Sequence, residues 1–357
     1  MVEYALRPIL QKDEIRVLVH DDTQSRSSGL LACQTRVLKL SHVQAGTETS
    51  YAALSYVWGD AAITKTLICD GKKISVTVNL HDALLSLWLA YPALKIWADA
   101  LSIVQGNILE RNHQVSLMGN IYRSASCVFA FIGPPLDGGN RFWDFLKKVA
   151  SNQYAIDDEF EDDLDEFLEG QTNDFAKGYH DLITRPWFTR AWTYQEIRLA
   201  AAAKIVCGSS MISWNSFMAS LWALDKKCLF MRRFSSLRAF LNYQHFWIEN
   251  KNTEQDEKSI QRISTNQTSG VAKPTLYDTL LAGWRRDSSD ARDKIYAFTS
   301  PLLSSSRYTE ITPDYTLDMR SIFIRFIRVY INNENNLDFL LTARGVDEPV
   351  WFLEPGF

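Results

Sequence analysis

Paired cysteines and paired histidines are missing from this sequence of 357 residues. The five cysteines are widely separated and no C-x-x-C occurs, so the sequence offers neither a zinc motif nor a disulfide framework. The six histidines never stand at the spacing of paired metal ligands. We therefore expect no bound metal ion.

Phosphate-binding loops and nucleophile motifs are missing as well. The sequence has no G-x-G-x-x-G and no G-x-x-x-x-G-K-[ST], which excludes nucleotide-binding loops of those two kinds. It also lacks G-x-S-x-G and H-E-x-x-H, although a catalytic triad can be assembled from distant residues. These gaps predict chemistry that needs no cofactor.

An excess of positive charge and long apolar runs are lacking too. The formal net charge is −4, and the basic residues are scattered, so nucleic acid is not an expected partner. No apolar run reaches the roughly 18 residues of a membrane span, and the N-terminus has no signal-peptide pattern. We expect a cytoplasmic protein with no membrane span.

What is present is an ordinary supply of apolar residues, 46% of the chain, arranged as alternating strands and helices. A Ser/Gly-rich turn is predicted at 21–29. Asn79 can cap a helix over 80–91, and an amphipathic helix is predicted over 109–125. Strands are predicted over 14–20, 35–40, 51–57, 94–99 and 127–133, with a hairpin over 65–78 that turns at Asp70-Gly71.

This alternation predicts an α/β fold with a mostly parallel sheet flanked by helices, preceded by N-terminal β-hairpin elements. We expect a core over 1–210 and a mainly helical extension over 211–357. A helix over 187–201 and a strand over 204–207 complete the core. The remaining predictions are a solvated acidic surface at 157–169, a polar loop at 251–270, and helices over 214–250, about 276–300 and 317–333.

Ligands of open α/β sheets bind beyond the carboxyl ends of the strands. Three predicted strand ends carry suitable residues, namely Trp58-Gly59-Asp60, Asp99 with Ser102, and Gly133-Pro134. If these strands are neighbours, their ends form one crevice. Simpler roles stay open, because Asp99 can cap a helix, Trp58 can cover the core and Gly59 can supply a turn.

A second cluster lies in the stretch RPWFTRAWTYQEIRLA, which runs from 185 to 200. Trp192 and Glu196 are spaced to share one helical face. A buried glutamate needs a partner, which Arg190 or Arg198 could supply as a structural ion pair. Alternatively, the carboxylate faces a pocket whose apolar neighbours raise its pKa. The charged residues of 284–298 are expected to tie helix ends together.

Three blocks of the sequence resemble the fungal heterokaryon incompatibility (HET) domain. They are YAALSYVWGD at 51–60, the stretch at 96–133 that begins IWADALSIVQGN, and the stretch at 185–208 that begins RPWFTRAWTYQEI. DARDKIYAF at 290–298 resembles a further block of that family. Two positions depart from the usual family pattern W-I-D-A-I-C-I-N-Q, since Ser102 replaces its cysteine and Val104 its asparagine.

The resemblance implies a flavodoxin-like fold, because the HET family is described as related to TIR domains. LSYVWGD is similar to the first TIR strand and its loop. WTYQEI is similar to the TIR segment that carries the glutamate of NAD-cleaving members. By that similarity Glu196 is the candidate catalytic acid, and Trp58 to Asp60 would line its pocket.

Three functional hypotheses follow. The first is a HET scaffold that folds an apolar polyene or terpenoid for an intramolecular cyclisation of Diels–Alder type, without a cofactor. The second is a TIR-like NAD hydrolase or cell-death effector, with NAD as substrate. The third is a non-catalytic signalling module, and all three allow a homo-oligomer.

The candidate site residues are shared by the first two hypotheses. The candidate catalytic residues are Glu196, Asp99 and Ser102. The candidate substrate-binding residues are Tyr56, Trp58, Gly59, Gln105, Trp192 and Gln195.

Overall fold

A nine-stranded sheet forms the centre of the protein. The computed structural model describes residues 12–137, 140–151, 161–168, 173–227, 286–299 and 311–334. The strands are β1 (Glu14–His20), β2 (Ala32–Lys39), β3 (Ala52–Tyr56), β4 (Thr64–Cys69), β5 (Lys72–Thr77), β6 (Lys95–Trp97), β7 (Cys127–Phe131), β8 (Ala203–Cys207) and β9 (Ser210–Ser213).

The sheet is mixed, with the strand order β5-β4-β2-β1-β6-β3-β7-β8-β9. Four neighbouring strands, β6, β3, β7 and β8, are mutually parallel. Elsewhere β2 pairs with β4 in parallel, and the other pairings are antiparallel. The α/β class is therefore confirmed, but the prediction of a mostly parallel, flavodoxin-like sheet is not, because the N-terminal strands and β9 add antiparallel edges.

Twelve α-helices are described. They are α1 (Asp22–Ser28), α2 (Leu40–Gln44), α3 (Val78–Ala90), α4 (Asp99–Ser102), α5 (Ile108–Ser124), α6 (Arg141–Ser151), α7 (Glu161–Leu168), α8 (Asp174–Thr184), α9 (Thr193–Arg198), α10 (Trp214–Lys227), α11 (Asp293–Thr299) and α12 (Met319–Glu334). None of the helices in the described ranges is long and apolar enough to cross a membrane.

The stretch 21–29, predicted as a turn, forms α1 instead. The Asp21 carboxylate accepts the backbone N–H of Gln24 at 2.9 Å, and Gly29 ends the helix with φ of 70°. These are the usual N-cap and C-cap residues of a short helix. The prediction missed this helix because its seven residues bury no apolar face.

Two other predicted helix boundaries differ from the structure. Asn79 lies within α3 and does not cap it; its side-chain amide donates to the Val57 carbonyl at 3.1 Å, which ties the helix to the loop after β3. The helix predicted over 187–201 is divided into a 3₁₀-helix, Pro186–Phe188, and α9.

The two faces of the sheet bury separate cores. One core packs α3 against side chains such as Leu54 and Phe129. The larger core packs α5, α6 and α8 to α12 against the opposite face, where Ala53 and Val128 point. Because this core joins residues from both sides of position 210, the two predicted parts are packed together.

Some predictions fall outside the described residues. The loop at 251–270 and most of the helices predicted over 214–250 and 276–300 lie there. The acidic stretch is described only in part, as α7, in which Asp162, Asp165 and Glu166 are exposed.

Candidate active site

A cavity of about 610 Å³ opens beyond the carboxyl ends of β3 and β6. Val57, Trp58 and Gly59 enter it from the loop after β3. Asp99, Ile103 and Gln105 enter it from the segment after β6. The predicted convergence of these two strand ends is therefore observed, and it follows from their parallel pairing.

The remaining walls come from sequence-distant elements. Helix α5 contributes Arg111, Val115 and Met118. Arg190, Trp192 and Glu196 border the cavity around the start of α9. The last wall is formed by the segment 287–293 and by Tyr315.

The loop after β3 joins the next strand end through a hydrogen bond. The Trp58 indole N–H donates to the Asp99 Oδ2 atom at 2.8 Å. Gly59 adopts φ of +77°, and a Cβ there would stand 3.1 Å from the Asn79 amide nitrogen. Asp60 anchors the same loop, because its carboxylate accepts the Ala62 N–H at 2.8 Å.

Asp99 does not cap α4, whose N-cap residue Ala98 has no side-chain cap hydrogen bond. Its Oδ1 atom accepts the Ala100 N–H at 2.7 Å at the start of α4. Its side chain also borders the cavity. Burial raises the pKa of Asp99, against the opposing effects of the Arg190 charge and the Trp58 hydrogen bond.

Glu196 lies at the inner end of the cavity and is 3% exposed. Its Oε2 atom accepts a hydrogen bond from the Ser55 hydroxyl. Burial raises the pKa of Glu196 to about 7, although the Arg190 charge and the Ser55 hydrogen bond oppose that shift. Such a carboxyl group exchanges a proton near neutral pH, as acid and base catalysts do.

Arg190 is the arginine that accompanies Glu196 in the cavity. Its guanidinium donates to the Tyr56 carbonyl at the end of β3. Its positive charge lowers the pKa of both Asp99 and Glu196. Arg198, the alternative partner considered from the sequence, does not border the cavity.

The segment 287–293 is held by backbone hydrogen bonds against the residues between the 3₁₀-helix and α9. The Asp287 N–H donates to the Thr189 carbonyl at 2.7 Å, and its carbonyl accepts the Ala191 N–H at 2.8 Å. Arg286 reinforces this junction by donating to the Phe188 and Arg190 carbonyls. The charged residues of this stretch thus line the cavity, in addition to the predicted role of tying elements together.

Asp293 adds a third carboxyl group with a perturbed pKa. It accepts a hydrogen bond from the Tyr315 hydroxyl at 2.6 Å. Burial raises the pKa of Asp293, while the hydrogen bonds from Tyr315 and Trp192 oppose that shift. Trp192 therefore both walls the cavity and contacts one of its acids.

Arg111 stands at the α5 wall with its guanidinium carbon 4.2 Å from the centre of the Tyr315 ring. Arg292 approaches the same ring at 5.1 Å, but its side chain is paired with Asp290 at 2.6 Å. Within the described residues Arg111 has no salt bridge, and its Nε atom is buried without a hydrogen-bond partner. It is thus the cation of this wall that is available to a ligand.

Three of the predicted site residues lie outside the cavity lining. The Ser102 hydroxyl is fully buried and accepts the Ala98 N–H at 3.1 Å. Tyr56 and Gln195 are buried, and the Tyr56 hydroxyl lies beside Asp99, whose pKa it lowers. The other six predicted residues do border the cavity, namely Trp58, Gly59, Asp99, Gln105, Trp192 and Glu196.

The third predicted strand end is occupied by protein. Arg185 donates to the Ile132 and Pro134 carbonyls at 3.2 and 2.7 Å, and its side chain stands against Gly133. The expectation that Gly133-Pro134 opens into the crevice was therefore wrong. An arginine from the start of the third sequence block fills that end of β7.

Several site residues were missed from the sequence. Ser55 hydrogen-bonds to Glu196, and Trp187 is linked to Glu196 through the Ser55 hydroxyl. Arg111, Asp293 and Tyr315, which border the far side of the cavity, were missed as well. The DARDKIYAF resemblance was the available signal for Asp293. Among the described residues no group of three or more histidine, cysteine, aspartate or glutamate side chains is arranged to hold a metal ion.

Comparison with known proteins gives a family match over the central part of the chain. Residues 51–196 match the family model described as heterokaryon incompatibility protein (HET). The chain is also similar to heterokaryon incompatibility protein 6, OR allele, of Neurospora crassa, with 30% identity over 218 residues. That similarity covers 51% of this chain and 32% of the relative, so the chain matches about a third of that protein's length. No solved structure matches the chain.

Proposed function

We propose that the cavity cleaves the N-glycosidic bond of NAD or a similar pyridine dinucleotide, and the premise of this proposal is the match of residues 51–196 to the heterokaryon incompatibility family model. Glu196 is the proposed catalytic carboxylate. The observation that carries the proposal is a buried glutamate with a pKa of about 7 at the inner end of a charged cavity. The resemblance of WTYQEI to the glutamate segment of NAD-cleaving TIR domains supports the same assignment.

The charge of the cavity suits this reaction. Five acidic side chains and two arginines border it, so its formal charge is negative when the acids are ionised. The nicotinamide ring of NAD is a cation, and cleavage of a glycosidic bond develops positive charge on the sugar. Carboxylates fixed beside that sugar stabilise the transition state more than the ground state.

The reaction balances without a cofactor. The bond between C1′ of the ribose and the nicotinamide nitrogen breaks, and its electron pair passes to the ring, which leaves as neutral nicotinamide. Water then bonds to C1′, and one proton of that water passes to Glu196. The products are nicotinamide, ADP-ribose and a proton that Glu196 returns to solvent.

The walls can hold the other parts of a dinucleotide. Trp58 and Trp192 offer aromatic faces for a planar base, and Arg111 offers a guanidinium for the diphosphate. The cavity volume of about 610 Å³ is within the usual range for small-molecule sites. A cytoplasmic location is part of the proposal, because the four described cysteines form no disulfide.

The cyclase of apolar substrates is a second candidate. Val57, Ile103, Val115 and Met118 give the cavity an apolar side. A polyene or terpenoid would displace water from the carboxyl groups opposite and return no hydrogen bond to them, which is unfavourable. The charged side therefore favours the dinucleotide. Incompatibility signalling without catalysis is the third candidate, which the printed name of the Neurospora relative supports.

The test is incubation of the purified full chain with NAD, with chromatographic detection of nicotinamide and ADP-ribose. We expect wild type to release both, and Glu196→Gln to lose at least about a hundredfold in rate. Glu166→Gln, which changes an exposed glutamate on α7, is the matched control and should keep the wild-type rate. If wild type releases no nicotinamide, or Glu196→Gln retains its rate, the hydrolase proposal is wrong.

A further inference from the structure

A short chain of hydrogen bonds ends on one oxygen of Glu196. The Trp187 indole Nε1–H donates to the Ser55 Oγ atom at 2.9 Å. The Ser55 hydroxyl in turn contacts the Glu196 Oε2 atom. All three side chains are almost completely buried, with exposures of 0%, 1% and 3%.

The direction of this chain is fixed by the chemistry of its first member. An indole N–H can only donate, so the Ser55 oxygen must accept from Trp187. The single hydroxyl proton of Ser55 is then left to donate to Glu196, which is its acceptor among the described residues. A proton on Oε2 would give the Ser55 oxygen two donors and leave its own buried proton without an acceptor, which is unfavourable.

We propose that Trp187 and Ser55 are positioning residues that keep Oε2 of Glu196 a hydrogen-bond acceptor, so that Oε1 is the oxygen that gains and loses the proton. Since Oε2 accepts from Ser55, Oε1 is the carboxyl oxygen that this hydrogen-bond chain does not engage. Oε1 is then the base that receives the proton from the attacking water. This catalytic consequence rests on the proposed hydrolase function, whereas the placement of the proton does not.

Three other groups face the Glu196 carboxyl and affect its titration. Arg190, from the segment before α9, favours the ionised form, and Asp99, after β6, disfavours it. The Tyr122 hydroxyl of α5 lies beside the carboxyl and donates to the Leu54 carbonyl at 3.2 Å. All three groups are unchanged in Ser55→Ala and in Ser55→Thr, so the difference between these two variants isolates the effect of the Ser55 hydroxyl.

The test uses ¹³C-glutamate labelling and infrared titration of the full chain, with Glu196→Gln identifying the Glu196 bands. In Ser55→Ala we expect the pKa of Glu196 to rise by about one to two units, because the ionised carboxylate loses a donor. The C=O band of the protonated group should move to higher frequency, because Oε2 loses its hydrogen bond. Ser55→Thr keeps the hydroxyl and should keep both values near those of wild type.

Trp187→Phe is a second variant that does not alter Ser55. It frees the Ser55 oxygen to accept from a proton on Oε2, so a second C=O band should appear at higher frequency. A fall in the Glu196 pKa in Ser55→Ala would show that Ser55 accepts from the acid, and unchanged bands in both variants would show that the chain does not place the proton. Either result overturns the proposal. Neither readout needs turnover, so a failure of NAD cleavage is distinguishable from a failure of this inference.

Discussion

Glu110 and Glu196 are two buried glutamates with opposite surroundings. Glu110, in the first turn of α5, accepts two hydrogen bonds from the Arg16 guanidinium at 2.6 and 3.2 Å. It also accepts the Val104 N–H at 3.0 Å. Glu196 accepts a hydrogen bond from Ser55 on one oxygen and borders the cavity, and its pKa is raised to about 7.

This difference separates a structural acid from a candidate catalytic one. The negative charge of Glu110 is matched by a guanidinium and a backbone N–H, which fix the segment between α4 and α5. The ionised form of Glu196 is matched incompletely, because Arg190 acts on Asp99 as well. A buried carboxyl group that keeps one oxygen for a ligand can exchange a proton, whereas a fully paired one serves the fold.

The largest expected effect is the loss of folding stability when Glu110, the structural acid, is changed. Glu110→Gln removes the carboxylate that pairs with the buried Arg16 guanidinium, and we expect a loss of about 3–5 kcal/mol in the free energy of unfolding. Urea unfolding at constant pH measures it. The double variant Arg16→Met with Glu110→Leu should recover most of the loss, because both charges are removed together. A loss below about 1 kcal/mol in the single variant would contradict the structural role.

Glu196→Gln, unlike Glu110→Gln, should become more stable relative to wild type as the pH rises. The folded-state pKa of about 7 lies above the ordinary value of 4.5, so Glu196 binds its proton more tightly in the folded protein. The stability that this provides is complete below about pH 4.5 and is lost as the pH rises through about 7. Raised pKa values of Asp99 and Asp293 act in the same direction.

We therefore expect the stability of Glu196→Gln, relative to wild type, to increase by about 3 kcal/mol between pH 4.5 and pH 8. Urea unfolding of both proteins across this pH range is the measurement. Glu166→Gln should show no such change relative to wild type. A constant difference between Glu196→Gln and wild type would mean that Glu196 is not a buried, protonated acid.

A smaller effect is expected at Asp99, the second acid of the cavity. Trp58→Phe keeps an aromatic wall but removes the indole donor, so the pKa of Asp99 should rise by about one unit. Carboxyl ¹³C NMR titration, assigned with Asp99→Asn, measures it. Trp192→Phe is the matched control, because Trp192 hydrogen-bonds to Asp293. Equal shifts of Asp99 in both variants would contradict a specific contact with Trp58.

The smallest expected effect is the difference in stability loss between two glycine variants, one at the cavity and one at the end of α1. Gly59 and Gly29 both have positive φ, but only at Gly59 would a Cβ meet another side chain, that of Asn79. We expect Gly29→Ala to lose about 1 kcal/mol, and Gly59→Ala to lose about 1–2 kcal/mol. Thermal unfolding of the two variants tests the order, and a larger loss at Gly29 would be inconsistent with this packing.

Much of the local structure was predictable because its causes are local. The strand at 14–20, the Asp70-Gly71 hairpin and the amphipathic helix α5 follow from alternation, turn chemistry and periodicity. The strand-end residues Trp58 and Asp99 were also found in this way, whereas Glu196 was named as the candidate acid through the family resemblance. The order of the strands could not be predicted, because nothing in the sequence of β1 specifies that β6 lies beside it.

The sequence by itself determined which elements form, which family the central blocks resemble and which side chains carry chemical groups. Only the tertiary structure decided how those groups are used. Glu110 meets Arg16 from 94 residues away, and Glu196 meets Ser55 from 141 residues away. The state of a carboxyl group depends on the solvent it loses and the donors it gains, and both are set by residues that the fold brings together.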